Sequence, residues 1–340
     1  MKALFIGMGS IGQRHLRNFR EILGSEAEVL VCRKTNHNLV IDNGQAFECE
    51  SLKDYYGYAE ISSLEQGLEL FPDIVFVTNP SSKHIEVALS SAKAGANIFI
   101  EKPLSHNITG VKELQALADR NNLVVHVGYQ TRYHPCFRDI QSVLNKARYG
   151  NLISASFEWG TYLPDHHPYE DYRDGYAANS NLGGGVTLGL IHEIDLIYSF
   201  FGIPKTIAAI GGKLSSLEMT ADDTVSVLMG FERGEHVVPV NLFLSYAQKY
   251  ETRTVRMQFE DALLVCDLMA NSVFAYGAKG EILFQKKYGV LDRNEAFKAE
   301  LVEFIGAVKR QDVSTNSLNS GAETLSIALR IIGEIDECIK

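Results

Sequence analysis

Two short stretches hold side chains whose types and spacing suit acid/base chemistry. The first is Glu101-Lys102-Pro103, directly behind the apolar run Ile98-Phe99-Ile100. An acid and a base at the carboxyl end of a buried strand stand where open parallel sheets bind their ligands. A lysine half shielded from water there can have its pKa lowered far enough to give and take a proton. Pro103 fixes the chain direction just past the strand, where no ladder hydrogen bond is needed. Taken alone, the pair also suits a solvated lysine beside its neighbouring glutamate. The second stretch is His192-Glu193-Ile194-Asp195. Three residues apart, His192 and Asp195 share a helix face, while Glu193 points away. A histidine near a helix amino terminus stays neutral readily, which suits a general base. Asp195 would orient its ring or grip a substrate hydroxyl. In isolation the acids equally suit a first helical turn.

These groups need elements to hold them. Lys2 to Ile6 reads as a short buried strand. Gly7-Met8-Gly9-Ser10-Ile11-Gly12 follows, and Gln13 to Leu23 has helical spacing. This is G-x-G-x-x-G in the setting that gives it meaning, with a strand before it and a helix after it. Gly7 permits the tight turn, Gly9 lets the backbone approach a pyrophosphate, and Gly12 lets helix and strand pack closely. The helix amino terminus offers free N–H groups to the phosphates. A second strand, Glu28 to Cys32, ends in Arg33-Lys34-Thr35. An acid about 20 residues past the glycines usually holds the ribose 2′-OH of NAD. None stands here, and Arg33 and Lys34, with the Thr35 hydroxyl, would hold a 2′-phosphate. The expected cofactor is therefore NADP ahead of NAD, the rival reading being a solvated basic turn.

Asp73 to Val77 is the next strand, almost continuously apolar as a strand covered on both faces should be. Thr78-Asn79-Pro80-Ser81-Ser82-Lys83-His84 makes the turn into a helix from Ile85 to Ala94, closed by Gly95. The Glu-Lys-Pro strand, a helix from Ile108 to Arg120 and a strand from Leu123 to Val127 complete a doubly wound parallel sheet. Past Gly128 the rhythm changes. Pro135 to Arg148 reads as a connecting helix and Leu152 to Tyr162 as a sheet strand. A long polar and aromatic loop then runs from Leu163 to Leu182, and a loop of that length is usually functional. Gly183-Gly184-Gly185 closes it, and Leu190 to Phe201 has helical spacing. Seven strand-like runs follow between Thr206 and Gln285 without helices, the pattern of a mostly antiparallel sheet. Glu295 to Lys309 and Glu323 to Ile339 read as helices. The expected division is a dinucleotide-binding domain over 1–128 and a substrate-binding α/β domain over 129–340.

Composition bounds the function. A chain of 340 residues suggests two domains, and 46% hydrophobic residues is enough for real cores. A formal net charge of -10 argues against nucleic acid and anionic membrane surfaces as partners. The five cysteines form no Cys-x-x-Cys pair, which speaks against zinc and disulfides and suits a reducing cytoplasm. No apolar run reaches the ~18 residues of a membrane span, and the first residues enter a strand with no leader pattern. Asp165-His166-His167 raises a metal question, but adjacent histidines point apart and no third clear ligand joins them, so no metal is expected.

The glycine loop, Asn79-Pro80 with His84, Glu101-Lys102-Pro103, and Gly183-Gly184-Gly185 with His192 and Asp195 come in an order that resembles the glucose–fructose oxidoreductase / inositol dehydrogenase / MocA family. The resemblance spans essentially the whole chain, and Glu-Lys-Pro is its most specific mark. It implies a Rossmann domain followed by a carboxy-terminal α/β domain whose large open sheet forms homodimers or homotetramers. It implies hydride transfer between nicotinamide and a carbon of a sugar, polyol or sugar-nucleotide. It further implies that Lys102 and His192 act as acid/base groups, aided by Asp195. The glycine loop, Thr78, Asn79, Pro80, His84, Glu101, Lys102 and Gln130 would then lie against the cofactor. Tyr162, His167 and Arg173 would position the sugar, and Arg132 or Arg173 would pair with a substrate carboxylate or phosphate. The loop from Tyr162 to Arg173 looks like family members found among genes for surface-sugar and nonulosonic-acid synthesis. One departure stands out. The family often carries an aspartate three or four residues before the histidine, where this chain has Gly189 and Leu188. That leaves open a non-catalytic dinucleotide-binding regulator on the same fold, or an enzyme that recycles a tightly held cofactor in sugar–sugar redox or glycoside cleavage.

Overall fold

The computed structural model describes residues 1–34, 38–42 and 44–338. The chain forms two compact units. The first holds Met1–Tyr129, His167–Asp171 and Phe297–Leu325; the second holds Gln130–His166, Tyr172–Ala296 and Ser326–Lys340.

In the first unit, β1 (Lys2–Ile6) runs into α1 (Ser10–Leu23), then β2 (Glu28–Cys32). A small hairpin, β3 (Leu39–Asp42) and β4 (Gln45–Glu48), precedes α2 (Leu52–Tyr56), β5 (Ala59–Ile61) and α3 (Leu64–Glu69). Then come β6 (Ile74–Val77), α4 (His84–Lys93), β7 (Asn97–Glu101), α5 (Val111–Arg120) and β8 (Val125–Gly128). Six strands form one parallel sheet in the order β5-β2-β1-β6-β7-β8. The order reverses beside β1, and the crevice outside the strand ends at that point is where such sheets take dinucleotides. The ends of β1, β6 and β7 carry Gly7, Thr78 and Lys102. Ile6 lies beside Val77, and Val77 beside Ile100, so these turns leave the sheet at one level.

The core of this sheet is aromatic. Phe5 stacks on Phe76 with centroids 4.4 Å apart, and Phe99 packs against Phe76 at 5.4 Å. Phe304 meets both Phe76 and Phe99 edge-on and, with Leu301 and Ile305, belongs to the same buried cluster. Residues 297–325, which the sequence division leaves with the second half, thus pack with the first unit.

The second unit begins with α6 (Pro135–Asn145) and β9 (Leu152–Tyr162), followed after the long loop by α7 (Val186–Gly189) and α8 (His192–Phe201). Seven strands follow, β10 (Thr206–Gly212), β11 (Thr224–Arg233), β12 (His236–Ser245), β13 (Ala247–Phe259), β14 (Leu263–Asp267), β15 (Ser272–Tyr276) and β16 (Ile282–Lys287). With β9 they make one eight-stranded sheet, antiparallel throughout except for the β12–β9 pair. Along β12, Val238, Val240, Leu242 and Leu244 are buried while Val237, Pro239 and Asn241 are exposed, the period-2 signature of a strand with one packed face. The chain ends in α9 (Arg293–Arg310) and α10 (Leu318–Cys338). No helix among the described residues is long and apolar enough to cross a membrane.

Candidate active site

The glycine loop explains itself in three contacts. Gly7 has φ +104°, and a Cβ there would lie 2.9 Å from the Thr78 carbonyl oxygen. At Gly12 a Cβ would lie 2.4 Å from the Gly7 carbonyl oxygen, so α1 can approach the loop only without a side chain. At Gly9, by contrast, a Cβ would meet nothing within 4 Å, leaving open space at the amino end of α1. Free N–H groups facing such a space are what a pyrophosphate requires. Met8 is buried, whereas Ser10 and Ile11 are half-buried in the first turn. Thr78 closes the loop from the next strand by donating its hydroxyl to the Ile6 and Gly7 carbonyls at 3.1 and 2.9 Å. Asn79 adds an enclosed Oδ1 with no hydrogen-bond partner among the described residues, a polar atom placed to receive a donor. The loop therefore fits a dinucleotide.

Around Lys102 the structure adds partners that the sequence did not show. His15, wholly buried on α1, approaches Glu101 Oε1 through Nε2 at 2.6 Å. The Lys102 amide donates to Glu101 Oε2 at 3.1 Å. Burial pushes the Glu101 pKa up, but the His15 hydrogen bond and charge, with Lys102, outweigh it and hold the carboxyl below its usual range. Gly128 leaves room for this carboxylate, since a Cβ there would sit 3.1 Å from Oε1. Glu101 is thus a buried partner of its own strand end. The Lys102–Pro103 peptide is cis.

His84 is buried in the same way. It is 1% exposed, with Nδ1 2.8 Å from the Pro103 carbonyl and Nε2 2.8 Å from the Asn79 carbonyl. Burial pulls its pKa down against the pull of those two carbonyls and Glu101. Both ring nitrogens thus face backbone carbonyls, one in each of two loops. Past β2, Arg33 donates from Nε to Glu60 Oε1 at 2.8 Å and its side chain is 8% exposed, while Lys34 is exposed. Thr35 lies outside the described residues.

In the second unit, His192 opens α8, as its spacing predicts. Its Nε2 lies 3.3 Å from Gln130 Nε2. Gln130, expected at the cofactor, is placed against this histidine. Asp195 is wholly buried and takes both Arg132 Nε and Nη2, at 2.7 and 2.6 Å. The two residues expected to grip substrate grip each other in a bidentate pair. Glu193 does turn the other way, into a bidentate pair with Arg253 at 2.7 and 2.8 Å. Burial still pushes its pKa up against the arginine.

At Gly189 the Tyr246 hydroxyl fills the space of a side chain. A Cβ at 189 would fall 1.7 Å from the Tyr246 hydroxyl, and Tyr246 is 2% exposed. No carboxylate-bearing side chain fits there. Asp222 reaches the same turn from the loop before β11, accepting from Thr187 N and Oγ1 at 3.0 and 2.6 Å. Burial raises the pKa of Asp222 and drives that of Tyr246 well above the phenol range. Nothing in the local sequence around residues 222 and 246 announces this role.

The remaining expected substrate residues have partners within their own units. His167 is half-exposed and bonded to Glu170 at 2.5 Å. Arg173 is exposed and meets Glu218 at 3.3 Å. Tyr162 lies under the Lys249 ammonium, 3.3 Å from its ring centroid.

Fold, glycine loop and lysine-bearing strand end define a nicotinamide-dinucleotide oxidoreductase. The comparisons name the family. Residues 1–129 match the GFO/IDH/MocA oxidoreductase family with its NAD-binding Rossmann fold, and residues 137–282 match the GFO/IDH/MocA C-terminal domain. The chain belongs to this family and is an NAD-binding oxidoreductase. It is 23% identical over 335 residues to an uncharacterised oxidoreductase of Bacillus subtilis (strain 168), covering 95% of this chain and 91% of that protein. It is 24% identical over 260 residues to inositol 2-dehydrogenase of Salmonella typhimurium (strain LT2), covering 74% of this chain and 69% of that protein. Among solved structures, UDP-N-acetylglucosamine 3-dehydrogenase from Acidithiobacillus ferrooxidans has the same fold, with a TM-score of 0.78 at 19% identity over 100% of this chain and 99% of that one.

Proposed function

We propose that this protein moves a hydride between a nicotinamide cofactor and a carbon bearing a hydroxyl or carbonyl on a sugar, polyol or sugar-nucleotide. The single observation that carries the reading is the position of Lys102, one residue beyond β7 at the crevice of the parallel sheet. The bound cofactor supplies or accepts the hydride. Lys102 and His192 exchange the proton of the reacting oxygen by general acid/base catalysis. The Arg132–Asp195 pair and Gln130 hold α8 and the His192 ring in orientation, so Asp195 is a positioning residue. Relatives named for inositol and for UDP-N-acetylglucosamine support a substrate with adjacent hydroxyls. A place in surface-sugar synthesis follows if the substrate is a sugar-nucleotide.

For the ribose we propose NADP ahead of NAD. Lys34 stands exposed past β2, and Arg33 would exchange Glu60 for the 2′-phosphate. Titration calorimetry with both cofactors tests this: tighter binding of NADP supports it, and equal or tighter binding of NAD ends it. The function itself is tested by following reduced-nicotinamide absorbance with myo-inositol, free hexoses and UDP-N-acetylglucosamine. Turnover of at least one hydroxyl-bearing sugar is expected. Cofactor binding with no turnover on the whole panel would favour a dinucleotide-binding regulator.

A further inference from the structure

Lys102 has an unusual setting. The residue before it and the residue after it are each held by a buried histidine from a different helix. His15 of α1 bonds the Glu101 carboxylate at 2.6 Å. His84 of α4 meets the Pro103 carbonyl at 2.8 Å and, through its other nitrogen, the Asn79 carbonyl at 2.8 Å. Both imidazoles are at most 1% exposed. The two helices are those that leave the glycine loop and the Asn79-Pro80 turn. Each cofactor-facing loop is therefore tied through one rigid ring to one flank of the lysine.

We propose that His15 and His84 are positioning residues which form a two-point mount, setting the Lys102 amine in register with the two cofactor loops. A lysine side chain has four rotatable bonds and large rotamer freedom, so its useful placement depends on a fixed backbone. Reacting groups a fraction of an ångström out of place lose much of the advantage of proximity. An imidazole suits the task because it is planar and carries polar atoms on opposite edges. Even as a neutral ring, His84 donates one N–H to one of its two carbonyls, and as a cation it donates to both. His15 donates Nε2–H to the Glu101 carboxylate at 2.6 Å. The Glu101 carboxylate passes this constraint on by accepting the Lys102 amide.

The mount rests on the reading of Lys102 given above, and the experiment separates the two. His15→Phe, His84→Phe, His15→Gln and His84→Gln are compared with wild type and Lys102→Ala. Readouts are turnover on the best sugar of the panel, cofactor Kd by calorimetry, and hydrogen exchange by mass spectrometry. Each Phe variant should lose ten-fold or more in kcat with cofactor Kd within three-fold. Exchange should quicken in peptides covering 78–84 and 101–106. The Gln variants, which keep one donor, should recover most of the turnover. Unchanged exchange in both segments overturns the mount, whatever Lys102→Ala does. So does a kcat within three-fold of wild type when Lys102→Ala is inactive. Near-normal turnover of Lys102→Ala with quickened exchange in the Phe variants would instead sink the acid/base reading and leave a purely structural clamp. Should a Phe variant fail to fold, the corresponding Ala variant, which also lacks a ring donor, takes its place in the same exchange comparison.

Discussion

At the residue scale, buried charges decide what each side chain can do. Asp195 has no solvent and two guanidinium bonds, so it is a carboxylate spent on Arg132. Removing one member of a buried pair costs about 3–5 kcal/mol, because the other charge stays behind. Asp195→Ala should lower unfolding stability by that amount in urea titration, well beyond a surface change. Glu101 makes a pH prediction. Its folded pKa lies below the unfolded value of about 4.3, so its stabilisation is complete above that pH and is lost as pH falls through the folded pKa. The stability gap between wild type and Glu101→Gln, measured against urea, should be flat from neutral pH to about 5 and close at lower pH. A gap that widens on acidification would contradict the assignment. Lys102 and His192 were legible because their types stood at the end of a strand and the start of a helix. His15, His84 and Tyr246 hid in plain patterns. A buried histidine in an amphipathic helix looks like any other core position. The role of Tyr246 depends on a contact with Gly189, more than fifty positions away, which no spacing encodes.

At the element scale, the strands and helices of the parallel sheet could be read in sequence because strands covered on both faces are short apolar runs between glycine-marked turns. The glycine loop is the firmest of these. Gly12→Ala would put a Cβ 2.4 Å from the Gly7 carbonyl, and backbone cannot yield cheaply. Cofactor affinity should fall at least ten-fold by calorimetry, whereas Gly333→Ala, in α10 and with nothing within 4 Å, should leave it unchanged. The hairpin of β3 and β4 is not legible in the sequence, because four-residue strands without strong alternation carry little signal. Helix α9 was visible as a helix, but the surface it covers was not. Periodicity reports that a helix has an apolar face, and not which sheet receives it. Phe304→Ala should therefore destabilise the dinucleotide-binding unit by about 3–5 kcal/mol, read as a lower cofactor-saturable melting transition.

At the scale of the whole molecule, a Rossmann sheet and a large antiparallel sheet in one chain make a framework that many substrates share, so the fold alone does not choose among sugars. Family membership makes the chain an NAD-binding oxidoreductase, and the proposed site puts its proton chemistry at Lys102. Lys102 is the group on which the account turns. The most direct test is steady-state turnover of Lys102→Ala on whichever panel sugar reacts best, with cofactor Kd measured on the same preparation. A fall of at least 100-fold in kcat is expected, the scale of one lost acid/base group, with cofactor Kd within three-fold. Turnover within three-fold of wild type would contradict it.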